Sequence, residues 1–108
     1  MKGDLRHMWI IVFFDLPVQK PSQRRKAAQF RNFLLKDGYL MLQFSVYARV
    51  CKGKEAVDKH VKRIVSELPS EGSVRALHVT DKQYSKMKIL LGNLVPEERI
   101  DGEQLLFF

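Results

Sequence analysis

Hydrophobic residues form one unbroken run near the start of the chain. Six apolar residues, Trp9 to Phe14, lead directly into Asp15, and Leu16-Pro17 follows. A short run that is rich in β-branched and aromatic residues and closed by proline predicts a strand buried on both faces. A carboxylate at the end of such a strand either caps the next turn or is paired, protonated or bound to a metal ion. Asp15 is therefore the first candidate for a functional residue.

Two later segments have the periodicity of amphipathic helices. The first is predicted to start at Ser22 as its N-cap and to run to about Asp37, with Gly38 as the residue that stops it. The second is predicted over residues 54–68 and is ended by Pro69. Their apolar stripes are Ala27, Phe30, Phe33 and Leu34 in the first helix, and Val57, Val61, Ile64, Val65 and Leu68 in the second. His60 is most simply an exposed residue of the second helix.

Strict alternation of side chains over Tyr39 to Val50 predicts a single strand. The set expected to pack on the helices is Leu40, Leu42, Phe44, Val46, Ala48 and Val50, and the set expected on the opposite face is Met41, Gln43, Ser45, Tyr47 and Arg49. Further strands are predicted at 73–80, 87–91 and 104–108, with Asp81 capping a single helical turn after the first of these.

The predicted fold class is α+β. We expect the ferredoxin-like order strand, helix, strand, strand, helix, strand, in which two helices cover one face of an antiparallel sheet. Residues 1–94 would form this domain, and residues 95–108 a connector and a short C-terminal strand. Because the first strand should be buried on both faces, we expect two sheets to pack face to face in a homodimer. The C-terminal strand could then extend the partner's sheet by edge pairing.

Charge is unevenly distributed along this basic chain, whose formal net charge is +7. Between Leu16 and Lys54 the only acid is Asp37, whereas the cations are Lys20, Arg24, Arg25, Lys26, Arg31, Lys36, Arg49, Lys52 and Lys54. Three of these cations lie in the first turn of a predicted helix, where the helix dipole disfavours them unless an anion such as phosphate binds there. The segregation favours a nucleic-acid surface over a merely solvated face.

Composition excludes several classes of protein. The length of 108 residues fits one domain, and the single Cys51 excludes an internal disulfide and fits a reducing cytoplasm. No run approaches the roughly 18 apolar residues of a membrane span, and the start of the chain is too polar for a secretory signal. No nucleophile motif or phosphate-binding loop is present, and the histidines lack metal-ligand spacing. A cytoplasmic protein without membrane association is expected.

One carboxylate cannot hold Mg²⁺ for phosphodiester chemistry, but two related by symmetry can, with water molecules completing the octahedron. In a two-fold dimer built on the first strands, the two Asp15 side chains could approach the axis. The residues thus allow a Mg²⁺ site that is shared between protomers.

The segments IIVFFDLP, SQRRKAAQFRNFLLKDGYLMLQFSVYARV and GSVRALHVTDKQYSKMKILLG, with LLFF at the C-terminus, resemble the CRISPR-associated endonuclease two family. Several blocks are most similar to members from systems with a Cas9-type effector. The resemblance implies a ferredoxin-like homodimer, a strand-end aspartate as shared metal ligand, and Mg²⁺-dependent cleavage of RNA or DNA in some members. It also implies a partnership with the CRISPR integrase subunit, in which the protein bridges two integrase dimers and holds duplex prespacer DNA.

The resemblance assigns roles to individual residues of this chain. Asp15 matches the family's catalytic and metal-binding aspartate. The cations expected to contact the nucleic-acid backbone are Lys20, Arg24, Arg25 and Arg31, and the residues expected to support the site from the second strand are Ser45, Tyr47 and Arg49. Two functions stay open: a Mg²⁺-dependent endonuclease acting on single-stranded RNA or on DNA, and a non-catalytic scaffold that binds duplex DNA. Backbone contacts carry little identity, so they do not separate RNA from DNA.

Overall fold

The computed structural model describes residues 7–98 of the chain and shows an antiparallel sheet with helices. The strands are β1 (His7–Asp15), β2 (Leu40–Gln43), β3 (Val46–Lys52) and β4 (Ser73–Thr80), and the helices are α1 (Pro21–Lys36), α2 (Gly53–Val65) and α3 (Asp81–Ser85). A 3-10 turn follows at Pro96–Glu98. The strand order across the sheet is β2-β3-β1-β4. The predicted α+β class with ferredoxin-like element order is confirmed.

β1 lies inside the sheet and is buried on both faces, as its unbroken apolar run predicts. Ile10, Val12 and Phe14 belong to the core that α1 and α2 cover, whereas Trp9 and Ile11 belong to a second core on the opposite face. The helices bury Ala27, Phe30 and Leu34 from α1 and Val57 and Ile64 from α2. Apart from Ala27, each of these side chains contributes about 1.5–3 kcal/mol when it is fully buried.

The prediction of one strand over Tyr39 to Val50 is wrong, because this segment folds back on itself as the β2–β3 hairpin. The predicted faces are also reversed. Tyr47 lies opposite Val12 in the register of β3 with β1, and directly opposed residues share a face. Tyr47 and Cys51 therefore pack under the helices. The residues on the other face are Leu40, Leu42, Val46, Ala48 and Val50.

The second face of the sheet is partly covered by the chain itself. The Tyr84 ring of α3 stacks on Trp9 with 4.1 Å between ring centroids, and the Trp9 indole N–H donates to Asp81 Oδ1 at 2.8 Å. Tyr84 in turn donates its hydroxyl proton to Glu98 Oε1 at 2.5 Å. Thr80, and not Asp81 as predicted, is the N-cap of α3, since its hydroxyl accepts from the Gln83 amide. The face of the sheet opposite α1 and α2 is thus only partly open.

Several predicted boundaries are also corrected. α1 begins at Pro21, and the Gln23 side chain accepts from the backbone amide of Lys20, so Ser22 is not the N-cap. α2 ends at Val65, and Val65 and Leu68, which were predicted in its apolar stripe, are exposed.

Residues 87–91 form no strand in the described part of the chain. Tyr84 of α3 packs on Trp9, and the run that follows lies beside Ile11 and Phe13 on the face of the sheet and does not extend an edge. The predicted strand over 104–108 lies outside the described residues, and the division at residue 94 stays a prediction. Within residues 7–98, none of the helices combines the length and the apolar character that crossing a membrane requires.

Candidate metal and nucleic-acid site

Asp15 is exposed at the end of β1, directly after the buried Phe14. Asp15 pairs with Ser73 of β4, and the preceding Phe14 amide donates to the Ser45 carbonyl at 3.0 Å. The backbone at Asp15 is therefore flanked by the start of β4 on one side and by the turn of the β2–β3 hairpin on the other. This arrangement fixes where the carboxylate leaves the sheet.

Gly72 lets the chain approach this position closely. Its φ is +99°, and a Cβ at Gly72 would lie 2.7 Å from the Asp15 carbonyl oxygen and 2.8 Å from Leu16 Cδ2. No residue with a side chain fits at that distance from a backbone atom without moving it. The sequence signal was the Ser-Glu-Gly turn before β4, but sequence alone did not connect this turn with Asp15.

The loop between β1 and α1 is held by Arg24. One guanidinium nitrogen of Arg24 donates to the carbonyls of Val18 and Gln19, both at 3.0 Å. The predicted cations Lys20 and Arg25 are exposed at the same end of α1. Arg24 thus has a structural contribution that sequence did not predict, and Arg25 is the better probe of ligand binding.

The only acid of the basic segment, Leu16 to Lys54, is buried. Asp37 is 8% exposed, and its carboxylate contacts Arg63 Nη2 at 2.8 Å and His60 Nδ1 at 3.0 Å. All exposed charges between Leu16 and Lys54 are consequently positive. The prediction that His60 is an exposed helix residue is wrong, since its side chain is largely buried against Asp37.

The predicted second-strand residues lie mainly in supporting positions. Tyr47 is buried with its ring 5.6 Å from that of Phe14, and burial raises the pKa of Tyr47 above its ordinary value. Arg49 donates to the backbone carbonyl of Asp37 and so ties β3 to the end of α1. Ser45 contributes its carbonyl to Phe14. The Ser45 and Tyr47 contacts hold the end of β1 next to Asp15, whereas the Arg49 contact lies at the C-terminal end of α1.

Arg31 lies against an aromatic ring. Its guanidinium carbon is 4.4 Å from the centroid of the Phe44 ring, in the turn between β2 and β3. Phe44 was predicted to pack under the helices, but 68% of it is exposed. Sequence alternation misplaced this residue because the chain reverses direction at Phe44-Ser45.

A single chain offers one carboxylate at this position. Among residues 7–98, no group of three or more His, Cys, Asp or Glu side chains could hold a metal ion. Carboxylate oxygen is a ligand that Mg²⁺ accepts, and Mg²⁺ is commonly bound through one or two carboxylates with several waters. The donor at Asp15 thus fits Mg²⁺, provided that further oxygen ligands come from outside this chain.

Comparison with known proteins gives one consistent family. The family model for CRISPR associated protein Cas2 matches residues 8–87. The CRISPR-associated endoribonuclease Cas2 of Acidovorax ebreus (strain TPSY) is 50% identical over 102 residues, covering 94% of this chain and all of that protein.

Two further relatives carry the same name. The protein of Campylobacter jejuni is 42% identical, and the match covers 91% of this chain and 68% of that protein. The protein of Flavobacterium psychrophilum is 41% identical, and the match covers 95% of this chain and 90% of that protein. The fold and the resemblance predicted from sequence agree with these matches, and this chain belongs to the Cas2 family of CRISPR-associated proteins.

Proposed function

We propose that this protein acts in CRISPR adaptation as a cytoplasmic, Mg²⁺-dependent endonuclease in which Asp15 from two protomers holds the metal ion. The observation that carries the proposal is the exposed Asp15 carboxylate at the end of the central strand β1, next in the chain to the segment 16–54, whose exposed charges are all positive. The relatives named endoribonucleases favour RNA as the first substrate to test. Cleavage of DNA is the alternative within the same chemistry.

A second protomer is supported by the open part of the second sheet face. Here the side chains of Ile11, Phe13 and Leu42 and the segment 87–95 line an apolar groove of about 750 Å³. Leu90 and Leu91 are 91% and 96% exposed at its rim. Exposed apolar side chains in such a contiguous group are typical of an interface. A second copy of this chain is the proposed occupant, because a two-fold arrangement also brings in the second carboxylate that a metal ion needs.

When bound, Mg²⁺ would neutralise the carboxylates, contact a phosphate oxygen and lower the pKa of a water molecule. The residues of the chain have separate tasks around it. Asp15 positions the cation. Lys20 and Arg25 lie at the N-terminal end of α1 and would bind the flanking phosphates, while Arg24 keeps the intervening loop in place through Val18 and Gln19.

The test is cleavage of short single-stranded RNA and duplex DNA by wild type, Asp15→Ala and Asp58→Ala, with Mg²⁺ or EDTA. Asp58 is a matched control because it is an exposed acid on α2. Cleavage should be abolished by EDTA and by Asp15→Ala but retained in Asp58→Ala. Cleavage that persists in Asp15→Ala refutes the proposed metal ligand.

The second candidate function is a scaffold that binds duplex DNA and bridges CRISPR integrase dimers without cutting. It is favoured by the buried, ion-paired state of Asp37, which leaves the basic segment without an exposed acid. Arg25→Ala should weaken duplex binding and reduce the slope of log K against log salt by about 0.9 per lost phosphate contact. Lys59→Ala on α2 is the control. Binding without cleavage of either nucleic acid would favour the scaffold over the nuclease.

A further inference from the structure

Phe44 is a large aromatic residue in an unusual position. It lies in the turn between β2 and β3, where 68% of its surface is exposed, and the Arg31 guanidinium is stacked 4.4 Å from its ring centroid. Single exposed apolar residues are common on proteins and do not by themselves indicate a binding site. What distinguishes Phe44 is the cation held against one face of its ring, because this contact orients an otherwise free side chain.

Phe44 is also close to Asp15 along the sheet. β1 and β3 pair as far as Phe13 opposite Val46, and one further bond joins the Phe14 amide to the Ser45 carbonyl. The next residue beyond that bond is Asp15 on one chain segment and Phe44 on the other. The aromatic ring, its cation and the candidate metal ligand therefore lie at the same end of the sheet.

The chemistry of this pair suits a nucleobase. An exposed aromatic ring can stack on an unpaired base without regard to its identity, and an adjacent guanidinium adds attraction for the base and for the phosphate that follows it. Bases within a duplex are stacked on one another and do not present their faces to such a ring. The expected ligand class is consequently a nucleic acid with at least one unpaired nucleotide.

We propose that Phe44, oriented by Arg31, is a stacking platform for an unpaired base of a single-stranded nucleic acid whose backbone passes Asp15. This proposal rests on the proposed function, since it assumes that Asp15 marks the site of the phosphodiester. It deepens that function by giving a physical basis for choosing single strands over duplexes. Phe44 is a binding residue here and takes no part in bond cleavage.

The test measures binding in EDTA, so that cleavage does not intervene, for wild type, Phe44→Ala, Phe44→Leu and Phe44→Trp. The probes are a single-stranded RNA, a single-stranded DNA of the same sequence and a blunt DNA duplex. Phe44→Ala and Phe44→Leu should lose about fivefold or more in affinity for both single strands. Fivefold corresponds to the lower end of the range for losing one base–aromatic stack. Phe44→Trp should retain single-strand affinity, and duplex affinity should change by less than about twofold in every variant.

Leu77→Ala is the matched control, because Leu77 is an exposed apolar residue on the edge strand β4. The proposal is overturned if Phe44→Leu binds single strands as tightly as wild type does. It is also overturned if the Phe44 variants lose equal affinity for duplex and for single strands. A loss confined to the RNA places the contact on the ribose and overturns it too. So does a change in sedimentation of Phe44→Ala, which would place the residue between copies of the chain.

The proposal and the function on which it rests fail differently. If wild type cuts in a manner that depends on Asp15 while Phe44→Leu binds single strands normally, only the stacking platform is refuted. If wild type binds neither single strands nor duplex, both are refuted.

Discussion

Replacing Gly72 by alanine tests whether the turn before β4 holds the backbone at Asp15 in place. Two costs follow from the geometry. A φ of +99° is unfavourable for any residue with a Cβ, which costs about 1–3 kcal/mol. In addition, the new Cβ would lie 2.7 Å from the Asp15 carbonyl oxygen, and relieving this overlap requires movement of the backbone, at about 1–3 kcal/mol more.

Gly92→Ala separates the two costs. Gly92 has a similar φ of +106°, but within one chain a Cβ there would have nothing within 4 Å, so only the conformational cost applies when the two variants are compared as monomers. Thermal unfolding of the two variants should therefore differ by at least about 1 kcal/mol, or about 4–8 °C in melting temperature, with Gly72→Ala the less stable. Nuclease activity should also fall in Gly72→Ala, measured well below its melting temperature, because Asp15 is displaced. Equal melting temperatures and unchanged activity would refute the argument.

Two further predictions concern the apolar rim and the buried tyrosines. Leu90→Lys together with Leu91→Lys should shift the protein towards monomer in sedimentation velocity, since both side chains are almost fully exposed in one chain; an unchanged oligomer would exclude this rim from the interface. Burial raises the pKa of Tyr39 and of Tyr84 above 10.0, and the bond to Glu98 adds to the shift of Tyr84. The neutral tyrosines therefore stabilise the fold fully below about pH 10 and lose this contribution above it, by up to about 1.4 kcal/mol per pH unit each. Tyr84→Phe should flatten the fall of the urea midpoint between about pH 9 and pH 11, and an unchanged fall would contradict this assignment.

Sequence predicted the elements whose patterns are local. The run from Trp9 to Phe14 is apolar at every position, so its burial on both faces does not depend on which neighbour it meets. The β2–β3 hairpin was missed because its turn, Phe44-Ser45, contains no Gly, Pro, Asn or Asp, and alternation continues through it. The orientation of β3 depends on Tyr47 lying opposite Val12, and that register is a long-range property.

For the candidate site too, sequence identified residues with a local pattern and missed those with distant partners. Asp15 could be identified because a strand-end carboxylate after six apolar residues is conspicuous in the sequence. The structural role of Arg24 could not, because its partners are backbone carbonyls of a loop whose path sequence does not fix. The same holds for His60, whose partner Asp37 is 23 residues away in the chain.

The charged residues of this chain fall into two groups with different tasks. Asp37, His60, Arg63 and Arg49 are joined to one another or to backbone at the end of α1 that is followed by β2. The Asp37 carboxylate is buried, so removing its partners would leave a buried charge without compensation and destabilise the fold. This cluster is therefore explained by the stability of the fold. At the other end of α1, Lys20 and Arg25 are exposed and gain little from the fold. Since these exposed cations contribute little to stability, binding of an external anion is the simplest explanation for their presence. The end of the sheet that carries Asp15 is accordingly where nucleic acid should bind, whether the protein cuts it or only holds it.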